Sequence, residues 1–199
     1  MKARDNPFRS ARIDALAFRD PAVTPERLIE RWHALGRRGA IVGPHGTGKT
    51  TLLAALVARL AERGAPVIGL RVCADAGPPS PGVLARALAA CGPRGVFCLD
   101  GIDLLRAPVR AWLRVRLRGA FGVFVTSHRS CGLPVLHRTR TSPALLASLA
   151  AELLGRDADP LRPTLDRLWA RTGGNVREAL FALYAEAAAG RLVPPHPGA

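Results

Sequence analysis

The chain carries, at residues 43–50, the sequence Gly43-Pro44-His45-Gly46-Thr47-Gly48-Lys49-Thr50. This stretch matches the pattern G-x-x-x-x-G-K-[ST], in which the backbone N–H groups of a glycine-rich loop surround a phosphate. The apolar run 40–42 precedes it, and leucines at helical spacing follow it between residues 52 and 60. A strand, a loop and a helix N-terminus in this order are the context that a phosphate site needs. We therefore expect residues 43–51, ending at Thr51, to bind a nucleotide.

Two side chains at the end of this loop have distinct expected roles. Lys49 is expected to reach the β- and γ-phosphates, and the hydroxyl of Thr50 to bind Mg²⁺. The alternative is a glycine-rich turn that contains an unrelated Lys-Thr pair. The flanking strand and helix argue for nucleotide binding.

Buried-type strands alternate with helices around the loop. This alternation predicts an α/β fold, a parallel sheet with helices on both faces, in the three-layer arrangement of P-loop NTPases. After residue 126 the pattern becomes helical and predicts three short helices that form a C-terminal lid. The expected boundaries are residues 1–36 for an N-terminal segment and helix, 37–141 for the nucleotide-binding core, 142–193 for the lid and 194–199 for a flexible tail. The strands beyond the loop are expected at 66–72, 95–99 and 121–125.

Carboxylates follow the third predicted strand. Four apolar residues lead into Asp100, which is the expected Mg²⁺-positioning acid beside Thr50. The commonest ATPase pattern has a glutamate after this aspartate, whereas this chain has Gly101, so hydrolysis is an open question at this point. Asp103 is the nearest carboxylate that could act as general base, and a helix cap is the equal alternative. At the end of the fourth strand, the hydroxyl of Thr126 is expected to contact the γ-phosphate or the attacking water.

The composition suggests an anionic partner. The net charge is +14, from 29 Lys and Arg against 15 Asp and Glu, and only two of the basic residues are lysines. A DNA-binding face and a generically arginine-rich surface are equally compatible with this balance. The four cysteines show no metal-binding spacing. No apolar run is long enough to span a membrane, and we expect a cytoplasmic protein.

In their order along the chain, these motifs resemble those of the AAA+ ATPases and their STAND relatives. The resemblance extends from about Gly39 to Leu192 and implies ATP and Mg²⁺ as cofactors. It implies sensor 1 for Thr126 and sensor 2 for Arg177, which lies at the start of a lid helix and would touch the γ-phosphate. The Asp-Gly-Ile-Asp stretch resembles that of the NACHT branch, where the later acid assists hydrolysis, and this supports Asp103. Candidates for an arginine finger reaching a neighbouring subunit are Arg129, Arg138 and Arg140.

The function expected from this resemblance is a nucleotide-dependent switch or motor subunit. Its expected partners are ATP or ADP, and beyond them a second copy of the chain, a protein client or DNA. A small P-loop kinase is the first alternative, favoured by the arginine-rich stretch 110–118. The second is a degenerate ATP-binding module that holds DNA through its basic surface. A transporter-type ATPase is a weaker alternative because the chain has no LSGGQ-like signature.

Overall fold

A computed structural model describes residues 6–20, 23–73 and 77–192. The predicted tail at 194–199 and the first five residues lie outside these ranges. The chain divides into two compact units. Within the described residues, the sheet unit comprises residues 20, 23–44, 48–73 and 77–139, and the helical unit comprises residues 6–19, 45–47 and 140–192. No helix in the described ranges is both long and apolar enough to cross a membrane.

The sheet unit is built around five parallel strands. In chain order they are β1 (Arg38–Val42), β2 (Val67–Arg71), β3 (Val96–Asp100), β4 (Gly122–Ser127) and β5 (Val135–Arg138). Their spatial order is β2-β3-β4-β1-β5, so that β1 lies between β4 and β5. The helices of this unit are α2 (Pro25–Ala34), α3 (Lys49–Glu62), α4 (Pro81–Ala90) and α5 (Ala107–Leu117). The expected α/β fold with a parallel sheet is confirmed.

One strand differs from the sequence expectation, which placed only helices after residue 126. β5 is four residues long, lies at the sheet edge and pairs with β1 through an irregular register. Of its four residues only Leu136 is fully buried, and His137 and Arg138 are polar. A short edge strand with so few apolar positions gives no continuous hydrophobic run, which explains why the pattern did not reveal it.

The two faces of the sheet bury alternate residues of each strand, as the pleat requires. On one face, Val123 and Val125 of β4 pack in a cluster with Leu84 of α4 and with Leu113 and Leu117 of α5. On the other, the ring of Trp32 from α2 stacks on Phe124, with ring centroids 4.7 Å apart, and its Nε1 donates to the Val123 carbonyl at 3.0 Å. The helices on both faces complete the three layers.

The helical unit contains the short α1 (Ser10–Asp14) and the helices α6 (Pro143–Leu154), α7 (Arg162–Arg171) and α8 (Val176–Ala188). The N-terminal segment packs into this unit. Phe8 and Ile13 are buried in one cluster with leucines of the three longer helices, and Asn6 Nδ2 donates to the Tyr184 carbonyl at 2.9 Å. Residues from the two ends of the described chain therefore share one core.

Capping side chains begin several of these helices. Thr24, Ser80 and Ser142 each accept a hydrogen bond from a backbone N–H in the first turn that follows, and a proline occupies the start of each helix. Asn175 caps α8 by accepting from the N–H of Glu178, and its Nδ2 donates to the Glu178 carboxylate at 2.7 Å. Asn175 and Glu178 therefore form a reciprocal cap at the start of α8.

Candidate nucleotide site

The glycine-rich loop joins the end of β1 to the first turn of α3. Gly46 and Gly48 have positive φ values of 69° and 84°, which glycine adopts without steric cost. Gly48 is the N-cap of α3, so Lys49, Thr50 and Thr51 form its first turn. Unpaired N–H groups and the positive end of the helix dipole therefore meet at the point where the sequence predicts the phosphates.

Lys49 is folded onto the loop. Its Nζ donates to the carbonyl oxygens of Gly43 at 2.8 Å and Pro44 at 2.6 Å, and the side chain is buried. Burial lowers the pKa of Lys49, and the charges of Asp103 and Asp100 act in the opposite direction. The ammonium thus lies within electrostatic reach of both predicted carboxylates. A phosphate could replace the two carbonyl groups as its partner.

Asp100, at the end of β3, connects the loop to the neighbouring strand. Its Oδ2 accepts from the Thr50 hydroxyl at 2.9 Å, and its Oδ1 accepts from the Thr126 hydroxyl at 2.5 Å. The N–H of Gly101 donates to the same Thr126 oxygen at 2.8 Å. Arg71 at the end of β2 lies 3.4 Å from Asp100 Oδ2. The structure thus brings together Thr50, Asp100 and Thr126, which the sequence singled out separately.

The oxygens of Thr50 and Asp100 fit a magnesium ion that also binds nucleotide phosphates. A hydroxyl and a carboxylate are hard ligands, and Mg²⁺ in such sites usually takes one or two protein oxygens, with waters and phosphates completing its octahedron. Among the described residues, no three His, Cys, Asp or Glu side chains cluster as metal ligands. The chemistry of the site therefore suits Mg²⁺ bound together with a nucleotide.

Asp103 lies in a short 3-10 turn, Ile102–Leu104, directly after β3. Its Oδ2 is 2.5 Å from Nδ1 of His128, the first residue after β4. Burial raises the pKa of Asp103, but hydrogen bonds from His128 and the backbone outweigh burial and lower the pKa below its ordinary value. The group is therefore an ionised carboxylate at neutral pH.

Two features of the helical unit concern residues that the sequence placed at the nucleotide site. A Cβ on Gly46 would lie 1.7 Å from Asn175 Oδ1, so only glycine fits beside the cap of α8. Arg177, in the first turn of α8, pairs with Asp14 at 2.8 Å, and its guanidinium lies 5.3 Å from the centroid of the Phe181 ring. About half of the Arg177 side chain is exposed. The three arginine-finger candidates are also exposed, namely Arg129, Arg138 and Arg140.

Sequence reasoning did not single out His128, Arg71 or the contact of Asn175 with Gly46. His128 had a usable signal, because it follows β4 and the carboxyl ends of parallel strands meet at one edge of a sheet. Arg71 ends β2 at the same edge. The Asn175 contact joins residues far apart in sequence and has no local signal.

Comparison with known sequences gives one match. The family described as AAA domain matches residues 4–97, just under half of the chain. No curated protein matches the sequence.

Comparison with solved structures gives many matches, and the three described here have low sequence identity. The Aeropyrum pernix ORC1 protein, solved in complex with DNA, has a TM-score of 0.62 and 22% identity over 94% of this chain and 65% of its own. AMPPCP-bound DnaA from Aquifex aeolicus has a TM-score of 0.58 and 17% identity over 83% of this chain and 61% of its own. Thermotoga maritima RuvB has a TM-score of 0.56 and 17% identity over 82% of this chain and 60% of its own. The chain thus spans about 60% of the length of these proteins.

The family match and the structural matches show a similarity to AAA domains and to the fold of these proteins. Sequence identities near 20% establish the architecture that the chain shares with these proteins. They leave the particular reaction and partners to be argued from its own residues.

Proposed function

We propose that this chain binds ATP with Mg²⁺, hydrolyses it, and acts as a nucleotide-dependent switch or motor subunit of the AAA+ type. One observation carries the proposal. The loop lysine, the Thr50 hydroxyl and the Asp100 carboxylate meet at one edge of a parallel sheet, with Thr50 Oγ1 2.9 Å from Asp100 Oδ2. That geometry suits a nucleoside triphosphate and its metal ion.

Each group has a part in this proposal. The loop N–H groups and Lys49 bind the phosphates, and Lys49 leaves the carbonyls of Gly43 and Pro44 for them. Thr50 and Asp100 would hold Mg²⁺, which supplies charge stabilisation at the β- and γ-phosphates. Asp103 orients the attacking water, and Thr126 fixes Asp100 between the two strands. Arg177 is assigned to sense the γ-phosphate, as the resemblance to AAA+ proteins implies.

The first test is thermal stabilisation by nucleotide. ATP with Mg²⁺ at about 100 times its Kd stabilises a single-site protein by about 2.7 kcal/mol, which is roughly 5–10 °C in Tm for a chain of this size. We expect Lys49→Ala to abolish this shift. Arg59→Ala is a matched control, because Arg59 is a cation on the same helix whose exposed side chain pairs with Glu26 and Glu62. No shift in the wild-type protein would contradict the proposal.

The second test is turnover. We expect ATP hydrolysis by the wild-type protein and none by Lys49→Ala, while Asp100→Asn weakens Mg²⁺-dependent binding. The assay includes small-molecule phosphate acceptors, and transfer to one of them would favour the kinase alternative. A STAND-type switch adds the expectation that ADP and ATP forms differ in partner binding or oligomeric state. A cytoplasmic location remains a prediction.

DNA is the proposed polyanionic partner. Helix α5 and its flanks present exposed arginines, and the structurally similar ORC1 protein was solved bound to DNA. The net charge of +14 adds a general attraction. We expect binding to duplex DNA to weaken steeply with salt and DNA to change the rate of ATP turnover. The exposed arginines are Arg106, Arg114, Arg116 and Arg118.

A further inference from the structure

We propose that His128 is a positioning residue for ATP hydrolysis: it holds Asp103 so that the free carboxylate oxygen, Oδ1, orients the attacking water and takes its proton. This inference rests on the proposed ATPase function. It assigns a role to a residue that the chain's motifs do not mark. It also supplies the water-activating group that Gly101 cannot provide at the position where most such ATPases have glutamate.

The pair is built by the ends of two neighbouring strands. Asp103 follows β3 and His128 follows β4, and these strands are hydrogen-bonded partners in the sheet. The two side chains are three-quarters buried, and Asp103 Oδ2 lies 2.5 Å from His128 Nδ1. A hydrogen bond to one carboxylate oxygen fixes the direction of the other. His128 thereby determines where Oδ1 points.

The second oxygen of Asp103 is the observation that indicates catalysis. Oδ1 is buried and makes no hydrogen bond to any residue in the described part of the chain. A buried carboxylate oxygen without a hydrogen-bond partner lowers the stability of the folded protein. We therefore expect this oxygen to accept a hydrogen bond from a bound molecule. We expect nucleotide binding to open this oxygen to the attacking water, which then donates to Oδ1.

Other charges around Asp103 agree with this role. Lys49 interacts with it electrostatically, and Arg110 Nη1 donates to its backbone carbonyl at 3.4 Å. The lowered pKa of Asp103 makes it a weak base. In phosphoryl transfer the transition state is loose, so orientation of the nucleophile matters more than the strength of the base. A fixed, ionised oxygen is what the reaction requires.

The reaction balances with these groups. The water oxygen forms a bond to the γ-phosphorus, and the bond from that phosphorus to the β,γ-bridging oxygen breaks. The bonding electrons leave with ADP. The water proton passes to Asp103 Oδ1 and then to the released phosphate, which returns Asp103 to its starting state.

A structural role for the pair makes a different prediction from a positioning role. We compare His128→Leu, which removes the donor, with His128→Asn, whose amide can donate from nearly the same place. We expect His128→Leu to lower kcat about 10- to 100-fold, as for misplacement of a catalytic group by about 1 Å. The KM and the Kd for ATP should stay within about twofold. His128→Asn should recover most of kcat, since its amide can replace the hydrogen bond to Asp103.

Three controls separate the proposal from its competitors. Asp103→Asn combined with His128→Leu should be no slower than Asp103→Asn alone, because both act through one oxygen. His137→Leu removes another His–Asp contact of the sheet unit, to Asp20 at 3.3 Å, and should lower Tm without changing kcat. ¹⁵N NMR should place a proton on His128 Nδ1 in the wild-type protein, with a signal that changes in Asp103→Asn.

The possible outcomes distinguish failure of the proposed ATPase function from failure of the positioning role of His128. A wild-type protein that does not bind ATP overturns the proposed function and this inference with it. A protein that binds ATP without hydrolysing it, alone or with DNA, leaves nucleotide binding intact and overturns the role of His128. An unchanged kcat in His128→Leu, or a kcat that His128→Asn fails to restore, overturns only the positioning role.

Discussion

At the scale of single residues, Asp100 is the most connected group of the site. A threonine hydroxyl has one proton, and that of Thr126 is donated to Asp100 while its oxygen accepts from Gly101. In this arrangement Thr126 cannot also donate to a phosphate. Thr126 would therefore act on a bound nucleotide indirectly, by positioning Asp100. A direct hydrogen bond from Thr126 to the γ-phosphate would require its hydroxyl to rotate.

Gly101 has a backbone conformation that other residues avoid. Its φ is 91°, and a Cβ there would lie 3.2 Å from the Val72 carbonyl oxygen. We expect Gly101→Ala to cost about 1–3 kcal/mol of unfolding free energy, measured by denaturant titration. Gly92→Ala is the matched control, because φ is 65° and no atom lies within 4 Å, so it should cost less. Equal losses in the two variants would show that the Val72 contact is unimportant.

Arg177 offers a second test at this scale. Its guanidinium pairs with Asp14, so a phosphate would have to displace this carboxylate. If Arg177 senses the γ-phosphate, Arg177→Ala should narrow the ratio of ATP to ADP affinity about tenfold and leave ADP binding nearly unchanged. Arg167→Ala is the control, since Arg167 is an exposed arginine of the same unit that pairs with Glu186. Isothermal titration measures both affinities, and an unchanged ratio would remove the sensor 2 assignment.

The site residues differ in how far the sequence could predict them. Lys49, Thr50 and Asp100 stand in strong motifs, because phosphate and metal chemistry restricts which residues can occupy those positions. The pairing of His128 with Asp103 depends on which strands are neighbours. Alternation of helices and strands predicts a parallel sheet but not the spatial order of its strands. The sequence pattern therefore could not predict this contact.

At the scale of elements, one aromatic ring of α2 packs directly on the sheet. Trp32 stacks on Phe124 and donates to the Val123 carbonyl, and it fills the space above Gly122. The apolar face of this helix also buries Leu28 and Ile29. The sequence could indicate that one side of α2 is buried, but not which strand it packs against.

The close approach of Trp32 to Gly122 makes a steric prediction. A Cβ on Gly122 would lie 2.6 Å from the Trp32 ring, so Gly122→Ala should overpack the site and cost about 1–3 kcal/mol. Gly69→Ala is the control, because Gly69 is also in a strand and has no atom within 4 Å of its Cβ position. Denaturant unfolding compares them, and a loss as large in Gly69→Ala would refute the steric explanation.

Across the whole molecule, the cysteines report on burial. Cys73 is exposed, whereas Cys91, Cys98 and Cys131 are buried free thiols. Burial raises the pKa of all three buried groups, that of Cys98 to about 12, so they remain protonated at pH 8 and react slowly. We expect one fast equivalent of a thiol-specific reagent in the native protein and four after denaturation. Fast reaction of two or more equivalents would contradict the burial of this core.

The division of the molecule into units was only partly accessible from sequence. The helical pattern after residue 142 predicted the three helices α6, α7 and α8. Nothing local showed that the N-terminal segment completes their core. The pairing of Phe8 and Ile13 with leucines more than 130 residues away depends on tertiary packing alone.

The burial of the N-terminal segment against α8 has a consequence for synthesis of the chain. Asn6 and its acceptor Tyr184 are separated by 178 positions. At about 5–20 residues per second, the ribosome needs roughly 10–35 s between them. Phe8 has no native partner in α8 until the end of that interval, by which time all strands of the sheet unit have been made. Apolar residues that are made early and buried late are natural contacts for a chaperone, and proteolysis of ribosome-bound chains should cut residues 6–19 until α8 has emerged.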